Sequence, residues 1–151
     1  MSNYEKFVLA ASKETFAFKQ LCEKYKKFSQ EDGYSIDYPE DQFSVYDVHI
    51  TKYLNEDYII AKRYLVELKN RTDLSEQTTR ECLRDGFILE KAKYNNIKKI
   101  ANLDPERTDV IYINFTTNGS YIWNLSKLER DGKLNFDKKK EMNIATMESR
   151  S

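Results

Sequence analysis

Two carboxylates and one lysine interrupt strand-like apolar segments of this 151-residue sequence. Glu67 and Lys69 close the apolar run YLVELK, and the side-chain period of two places both on one face of a strand. Asp47 interrupts the segment VYDV in the same way. Charged groups in a buried strand cost free energy unless they are paired or functional. These three residues are therefore the first candidates for chemistry.

The chemistry that these residue types predict is hydrolysis of a phosphodiester bond. Asp47 and Glu67 lie 20 positions apart, and pairing of their strands would bring two mutually repelling carboxylates together. A divalent cation relieves such repulsion, and oxygen ligands with retained waters suit Mg²⁺ or Mn²⁺. The ion polarises a phosphoryl oxygen and activates a bound water. Lys69 could orient that water or stabilise the transition state, and the main-chain carbonyl of Leu68 could be a further ligand.

The elements that position these residues are predicted from apolar periodicity. Residues 4–28 contain neither Gly nor Pro and repeat apolar side chains every three or four positions, which predicts a helix. Strand-like segments follow at residues 34–38, 43–51 and 58–69, and their short polar connections favour an antiparallel meander. Residues 70–84 show no clean period and are predicted to form a loop that could contain one helical turn.

The last part of the chain predicts a second helix and a hairpin. Residues 87–89 indicate a brief extended piece, and residues 90–102 a helix that ends before Asp104-Pro105. The segments 109–115 and 121–125 flank Asn118-Gly119, a strong hairpin signal. The order of elements predicts an α+β domain spanning residues 1–130, followed by a polar, lysine-rich tail at 131–151 that includes Lys138, Lys139 and Lys140.

The composition predicts a soluble globular protein and narrows its partners. The 25 Lys and Arg residues balance 25 Asp and Glu residues, whereas a protein that coats nucleic acid is usually basic. Clustering of charge nevertheless decides binding, so nucleic acid stays open as a partner. There is no apolar run of about 18 residues and no secretory signal pattern. Cys22 and Cys82 lack metal-ligand spacing and a disulfide framework, which favours a reducing cytoplasm.

Asp47, followed about 20 residues later by Glu67-Leu68-Lys69 at the end of an apolar strand, resembles the PD-(D/E)XK nuclease superfamily. Tyr46 stands where the motif has proline. The order of elements over residues 14–115 also resembles the αβββαβ core of that family. The resemblance implies a restriction-endonuclease-like mixed sheet flanked by helices, with a C-terminal β-hairpin. It further implies an endodeoxyribonuclease that uses Mg²⁺ or Mn²⁺ and selects DNA structure in the manner of Holliday-junction resolvases.

Two helical residues fit the same resemblance. Glu14 lies on the apolar stripe of the first helix, where many members of the family carry a Glu that supports the metal site. Lys93 lies on the apolar arc of the second helix, in a segment similar to one of resolvase-like relatives, and could contact substrate phosphate or the active-site carboxylates. The candidate nucleic-acid contacts on this helix are Lys91, Lys93, Tyr94 and Lys98.

Each candidate residue also has a structural interpretation. Glu67 and Lys69 could form an ion pair with each other on a half-exposed strand. Glu14 could reach water, and the Lys93 stem could cover apolar surface. His49 shares a strand face with Asp47, but a lone histidine is more often structural than catalytic.

The function likewise has alternatives to catalysis. One is a catalytically inactive module of the same fold that binds nucleic acid or protein, and another is a purely structural α+β protein. The resemblance and the small size imply a phage or mobile-element enzyme in the cytoplasm of a bacterium or an infected cell. They also imply a homodimer, because cutting both strands of DNA commonly takes two active sites.

Overall fold

A six-stranded mixed sheet with helices on both faces dominates the computed structural model of the protein. The structure describes residues 2–39, 44–54, 58–136, 141–144 and 148–150. None of the helices in these ranges is long and apolar enough to cross a membrane. The fold is α+β, as the sequence predicts.

The first half of the chain forms one helix and an antiparallel meander. Ser2 caps the helix by accepting a hydrogen bond from the Glu5 main-chain N–H, and the helix ends at Lys26, which has a left-handed φ of 51°. The predicted meander is confirmed, since the second strand pairs antiparallel with both of its neighbours. The elements are α1 (Asn3–Tyr25), a 3-10 turn (Gln30–Asp32), β1 (Tyr34–Asp37), β2 (Val48–Tyr53) and β3 (Ile60–Asn70).

The second half adds the remaining helices and completes two sheets. They are α2 (Glu76–Asp85), β4 (Phe87–Glu90), α3 (Lys91–Ala101), β5 (Thr108–Thr116), β6 (Gly119–Asn124), α4 (Leu125–Arg130), β7 (Leu134–Phe136), β8 (Glu141–Ile144) and β9 (Glu148–Arg150). Strand β5 runs parallel to β3, and β6 returns antiparallel to β5 as the predicted hairpin. The sheet order is β1-β2-β3-β5-β6-β9, and a smaller sheet has the order β4-β8-β7.

Two apolar cores lie on opposite faces of the large sheet. Alternate residues of β3 serve each core, because successive strand side chains point to opposite faces. Val66 and Leu68 pack with Phe18 of α1, whereas Leu65 packs with Tyr94 of α3. Glu67 and Lys69 follow the parity of Leu65 and therefore lie on the α3 face.

The observed order α1-β1-β2-β3-α3-β5 matches the predicted αβββαβ core, with α2 and β4 inserted before α3. Strand β2 begins at Val48, later than the predicted start at residue 43, so Asp47 lies just outside the strand. Residues 40–43 lie outside the described part of the chain, as do the tail lysines 138–140.

Two helices were not predicted from the sequence. The segment 70–84, expected to be a loop with at most one helical turn, holds all but the last residue of the ten-residue α2, whose N-cap Ser75 accepts a hydrogen bond from the Thr78 N–H. Leu125, expected to end the last hairpin strand, instead begins α4 behind the N-cap Asn124. The described residues of the tail contribute β7, β8 and β9.

Candidate active site

The end of β3 presents Glu67 and Lys69 beside the start of β2. Glu67 is only 3% exposed, whereas Lys69 is exposed to solvent. Both residues lie on the α3 face of the sheet, as their spacing predicts, but their side chains do not form an ion pair with each other. Lys69 has no ion pair within 4.0 Å among the described residues, so the interpretation of an internal Glu67–Lys69 salt bridge is wrong.

Asp47 is fixed to the same strand end by two hydrogen bonds. Its main-chain N–H donates to the Val66 carbonyl at 2.9 Å, and its Oδ2 accepts the Leu68 N–H at 2.8 Å. The two bonds flank Glu67 in the chain, and the Asp47 and Glu67 side chains are close enough to shift each other's pKa. Asp47 and Glu67 therefore lie at the same strand end.

Lys93 reaches this site from the first turns of α3. Its Nζ lies 2.5 Å from Glu67 Oε1, and its side chain is 47% exposed. Of the two contacts predicted for Lys93, the structure shows the one with the active-site carboxylates. Lys93 is thus the cation that pairs with Glu67.

Glu14 approaches the site from α1, on the opposite side of the sheet. Its Oε1 accepts the main-chain N–H of Asn70 at 3.2 Å, which ties the helix to the last residue of β3. The side chain is half-buried, and its charge acts on Glu67. Three acidic residues from α1, the β2 entry and β3 therefore meet at one strand end.

The electrostatics of the site disfavour full ionisation of these acids. Burial raises the pKa of Glu67 to about 8, and the Asp47 charge adds to the rise, while Lys93 lowers it. Burial also raises the pKa of Asp47, although the hydrogen bond from Leu68 and the Lys93 charge act in the opposite direction. The pKa of Glu14 is raised by burial as well. Excess negative charge here is only partly offset by the protein's own cations.

Lys93 shows the complementary effect. Burial by itself lowers the pKa of a lysine, but attraction to the Glu67 carboxylate outweighs it and raises the pKa of Lys93. Asp47 and Glu14 add smaller contributions in the same direction. Lys93 consequently carries its positive charge at neutral pH.

The donor set suits a cation that needs few protein ligands. No group of three or more His, Cys, Asp and Glu side chains is placed to hold a metal ion within the described ranges. Asp47 and Glu67 nevertheless form a carboxylate pair. Mg²⁺ is usually held by one or two carboxylates, with waters and substrate phosphates as its other ligands. The pair fits such an ion, whereas it does not fit a cage made of protein ligands alone.

The other helical candidates are engaged elsewhere in the structure. Tyr94 is only 1% exposed and its hydroxyl donates to Glu129 Oε2 at 2.8 Å, so it lies in the core rather than at the surface. Lys98 forms an ion pair with the same Glu129, and Lys91 is half-buried at the start of α3. Of the candidate nucleic-acid contacts, Lys93 is placed at the site by its ion pair with Glu67.

His49 lies one step along β2 from the site. Its ring makes an edge contact with Tyr46 at 5.9 Å between centroids, and Nε2 is 3.5 Å from the Thr51 hydroxyl. Burial lowers the pKa of His49. The register pairs it with Leu65 rather than with Glu67, in agreement with a structural role.

Arg71, Asn114 and Tyr112 were not recognised as site residues from the sequence. The register places Tyr112 beside Glu67 and Asn114 beside Lys69. Asn114 is fully buried inside the apolar run IYINF. That interruption is the same kind of signal that singled out Asp47, and it could have identified Asn114.

No protein-family model and no curated protein matches the sequence. Solved structures do match it, and one of them is a nuclease from a fusselovirus. The two chains share 13% sequence identity with a TM-score of 0.47, over 99% of this chain and 88% of that chain. The chemistry of this chain has to be inferred from its own side chains.

Proposed function

We propose that this protein is a metal-dependent endodeoxyribonuclease of the PD-(D/E)XK type. The observation that carries the proposal is the convergence of Asp47 and Glu67 at the end of β3, where Asp47 is hydrogen-bonded to both neighbours of Glu67, the Val66 carbonyl and the Leu68 N–H. Burial raises the pKa of both groups, and the Asp47 charge raises that of Glu67 further, despite the neighbouring Lys93. Strongly perturbed acids that converge with exposed cations are typical of functional sites.

Asp47 and Glu67 would hold Mg²⁺ or Mn²⁺ through their carboxylates. The Leu68 carbonyl is the third candidate, because the N–H and C=O of a strand residue point to the same side and the Leu68 N–H points at Asp47. When bound, such an ion polarises a phosphoryl oxygen and lowers the pKa of a coordinated water.

The lysines have separate tasks in this proposal. Lys69 is exposed and makes no ion pair with a described residue, so its ammonium is available to the attacking water and to the charge that develops on phosphate. Lys93 keeps Glu67 in place from the α3 side. Glu14 fixes the end of β3 through the Asn70 N–H and adds negative charge to the site.

The substrate in this proposal is DNA, with a preference for branched structure in the manner of resolvases. The side chains at the site support hydrolysis of a phosphodiester bond. Selectivity for branched DNA and a homodimer with two active sites are additional parts of the proposal. Both can be measured separately from cleavage itself.

The test is a cleavage assay on linear duplex, four-way branched and single-stranded DNA with Mg²⁺, Mn²⁺ or EDTA. We expect cleavage that requires the metal and falls at least about 100-fold in Lys69→Met, as for loss of one group that stabilises the transition state. Lys52→Met is the matched control, because Lys52 is an exposed lysine at the far end of β2.

The outcomes distinguish the candidate functions. Cleavage that persists in EDTA, or that is equally fast in Lys69→Met and Lys52→Met, contradicts the proposed mechanism. Binding of DNA without cleavage of any of the three substrates would make the chain an inactive binding module of the same fold. Sedimentation of the protein with branched DNA reports the stoichiometry of the complex.

A further inference from the structure

Arg71 lies just beyond β3 and makes more contacts at this end of the sheet than its position in a connecting segment predicts. Its Nε donates to Asn114 Oδ1 at 2.6 Å. Its Nη2 donates to the Ile88 carbonyl at 2.8 Å and to the Tyr112 hydroxyl at 3.2 Å. The guanidinium also lies 5.6 Å from the centre of the Phe87 ring. The planar fork of an arginine can satisfy several acceptors at once.

The partners of Arg71 on β5 are buried and adjoin the candidate active site. Asn114 and Tyr112 are 0% and 1% exposed. In the β3–β5 register, Tyr112 is paired with Glu67 and Asn114 with Lys69. The arginine is thus anchored to the two β5 residues that stand beside the proposed catalytic residues.

The Ile88 carbonyl joins this cluster to α3. It accepts one hydrogen bond from Arg71 and a second from the Tyr112 hydroxyl at 3.0 Å. Ile88 belongs to β4, which ends at Glu90, and α3 starts at Lys91. The N-cap of α3 has no side-chain hydrogen bond of its own. The position of the first turn of α3, which carries Lys93, therefore depends on how β4 is held.

We propose that Arg71 is a positioning residue: it fixes β4 against the ends of β3 and β5 and so holds Lys93 at Glu67. Its effect on cleavage rests on the proposed function, but its effect on the placement of α3 does not. The competing role for a half-buried arginine beside such a site is direct contact with a substrate phosphate. The two roles differ in what a second substitution, at Lys93, would do.

The first arm of the test is a double-mutant cycle on cleavage of DNA. Arg71→Ala is expected to lower kcat about 10- to 100-fold with little change in KM, the size of effect that follows a small misplacement of catalytic groups. In a Lys93→Ala background the same substitution should have almost no further effect, because both act through one contact. Additive losses, or a loss confined to KM, would overturn the proposal in favour of a phosphate contact.

Conservative variants separate geometry from charge. Arg71→Lys keeps the charge but cannot reproduce the fork, so it should resemble Arg71→Ala rather than the wild type. Tyr112→Phe removes one donor to Ile88 and leaves the ring in the core, so a milder loss of the same kind is expected even if Arg71→Ala folds poorly. Full activity of Arg71→Lys contradicts positioning by the fork.

The second arm uses the metal-free protein without DNA. Hydrogen exchange followed by mass spectrometry should show faster exchange in residues 87–97 of Arg71→Ala, with β1 and β2 unchanged. Arg80→Ala is the control, since Arg80 pairs with Glu76 on the exposed surface of α2. If the wild type cleaves no DNA, the proposed function fails while this arm still decides the positioning role. Unchanged exchange in residues 87–97 would overturn the inference.

Discussion

At Glu67 three effects act on a single carboxyl group. Burial favours the neutral acid, the Asp47 charge favours it further, and the Lys93 ammonium favours the anion. The first two prevail, because the pKa is raised from its ordinary value of 4.5 to about 8. The folded protein therefore keeps a proton that the unfolded chain has already lost between these two pH values.

This retained proton predicts how stability changes with pH. Because the unfolded state binds fewer protons between pH 4.5 and about 8, the free energy of unfolding must fall as pH rises through this window. The contribution of one such group is at most about 1.4 kcal/mol per pH unit. In Glu67→Gln this part of the slope should disappear, as measured by urea unfolding of metal-free protein at pH 5, 6.5 and 8.

Glu129→Gln is the control for that measurement. Hydrogen bonds from Lys98 and Tyr94 offset burial and lower the pKa of Glu129, so its titration lies below the window and its removal should leave the slope unchanged. Equal slopes for the wild type and Glu67→Gln would show that Glu67 does not hold a proton in the folded protein.

Sequence alone identified the residues whose type conflicts with their surroundings. Asp47 and Glu67 were recognisable because a carboxylate inside an apolar run requires an explanation. Arg71 was not, because a polar residue in a polar connection conflicts with nothing. Its importance comes from contacts with Ile88 and Asn114, which are 17 and 43 positions away. Only the folded chain makes such contacts visible.

At the scale of elements, the start of β2 has a local cause. The regular β2–β3 register starts at Val48, and Asp47 keeps one main-chain hydrogen bond to Val66 while its side chain takes the Leu68 N–H that a continuing strand would otherwise pair. A side chain that competes with the ladder in this way ends regular structure. The prediction of a strand from residue 43 did not take this competition into account. Because β2 begins only at Val48, the Asp47 side chain is available to the site.

Helix α2 was missed because its signal lies in its cap rather than in apolar periodicity. Ser75 accepts the Thr78 N–H at 3.1 Å, and Thr79, which is fully buried, donates its hydroxyl to the Ser75 carbonyl at 3.0 Å. A serine followed by Glu76 in the first turn is a helix start. Few apolar residues follow, so the window looked like a loop.

The cap predicts a measurable loss on substitution. Ser75→Ala should lower the free energy of unfolding by about 1 kcal/mol, because the Thr78 N–H loses its acceptor. Ser75→Asp should retain most of the stability, since a carboxylate is an equally good cap. Thermal or urea unfolding of both variants measures this, and a loss of the same size in both would show that the cap is not the cause.

At the scale of the whole molecule, local patterns fixed the order of elements but not their long-range pairing. The βββ meander and the β5–β6 hairpin join neighbours in sequence, and both were predicted. The pairing of β4 with β8 and of β6 with β9 joins distant segments. Strand patterns specify a face but not a partner, so the contribution of the tail could only come from the structure.

The molecule also keeps two carboxyl groups close together at a cost to its own stability. Burial disfavours the charged forms of both Asp47 and Glu67 in the metal-free state, and the Asp47 charge disfavours that of Glu67 further. Function commonly maintains such destabilising groups. Asp47→Asn should therefore raise the melting temperature of metal-free protein at pH 8, because an amide keeps an acceptor for the Leu68 N–H and removes one negative charge.

If Asp47 and Glu67 bind Mg²⁺, the ion should stabilise the folded chain. At ten times its dissociation constant, an ion that binds only the folded state adds about 1.4 kcal/mol, or about 3 to 6 °C in melting temperature for a chain of this size. Asp47→Asn should lose this response, which differential scanning calorimetry with Mg²⁺, and with NaCl at matched ionic strength, would measure. Lys52→Met should respond like the wild type, because Lys52 is at the other end of β2. A Mg²⁺ response of the same size in Asp47→Asn would place the ion elsewhere and remove the basis for the metal-dependent mechanism.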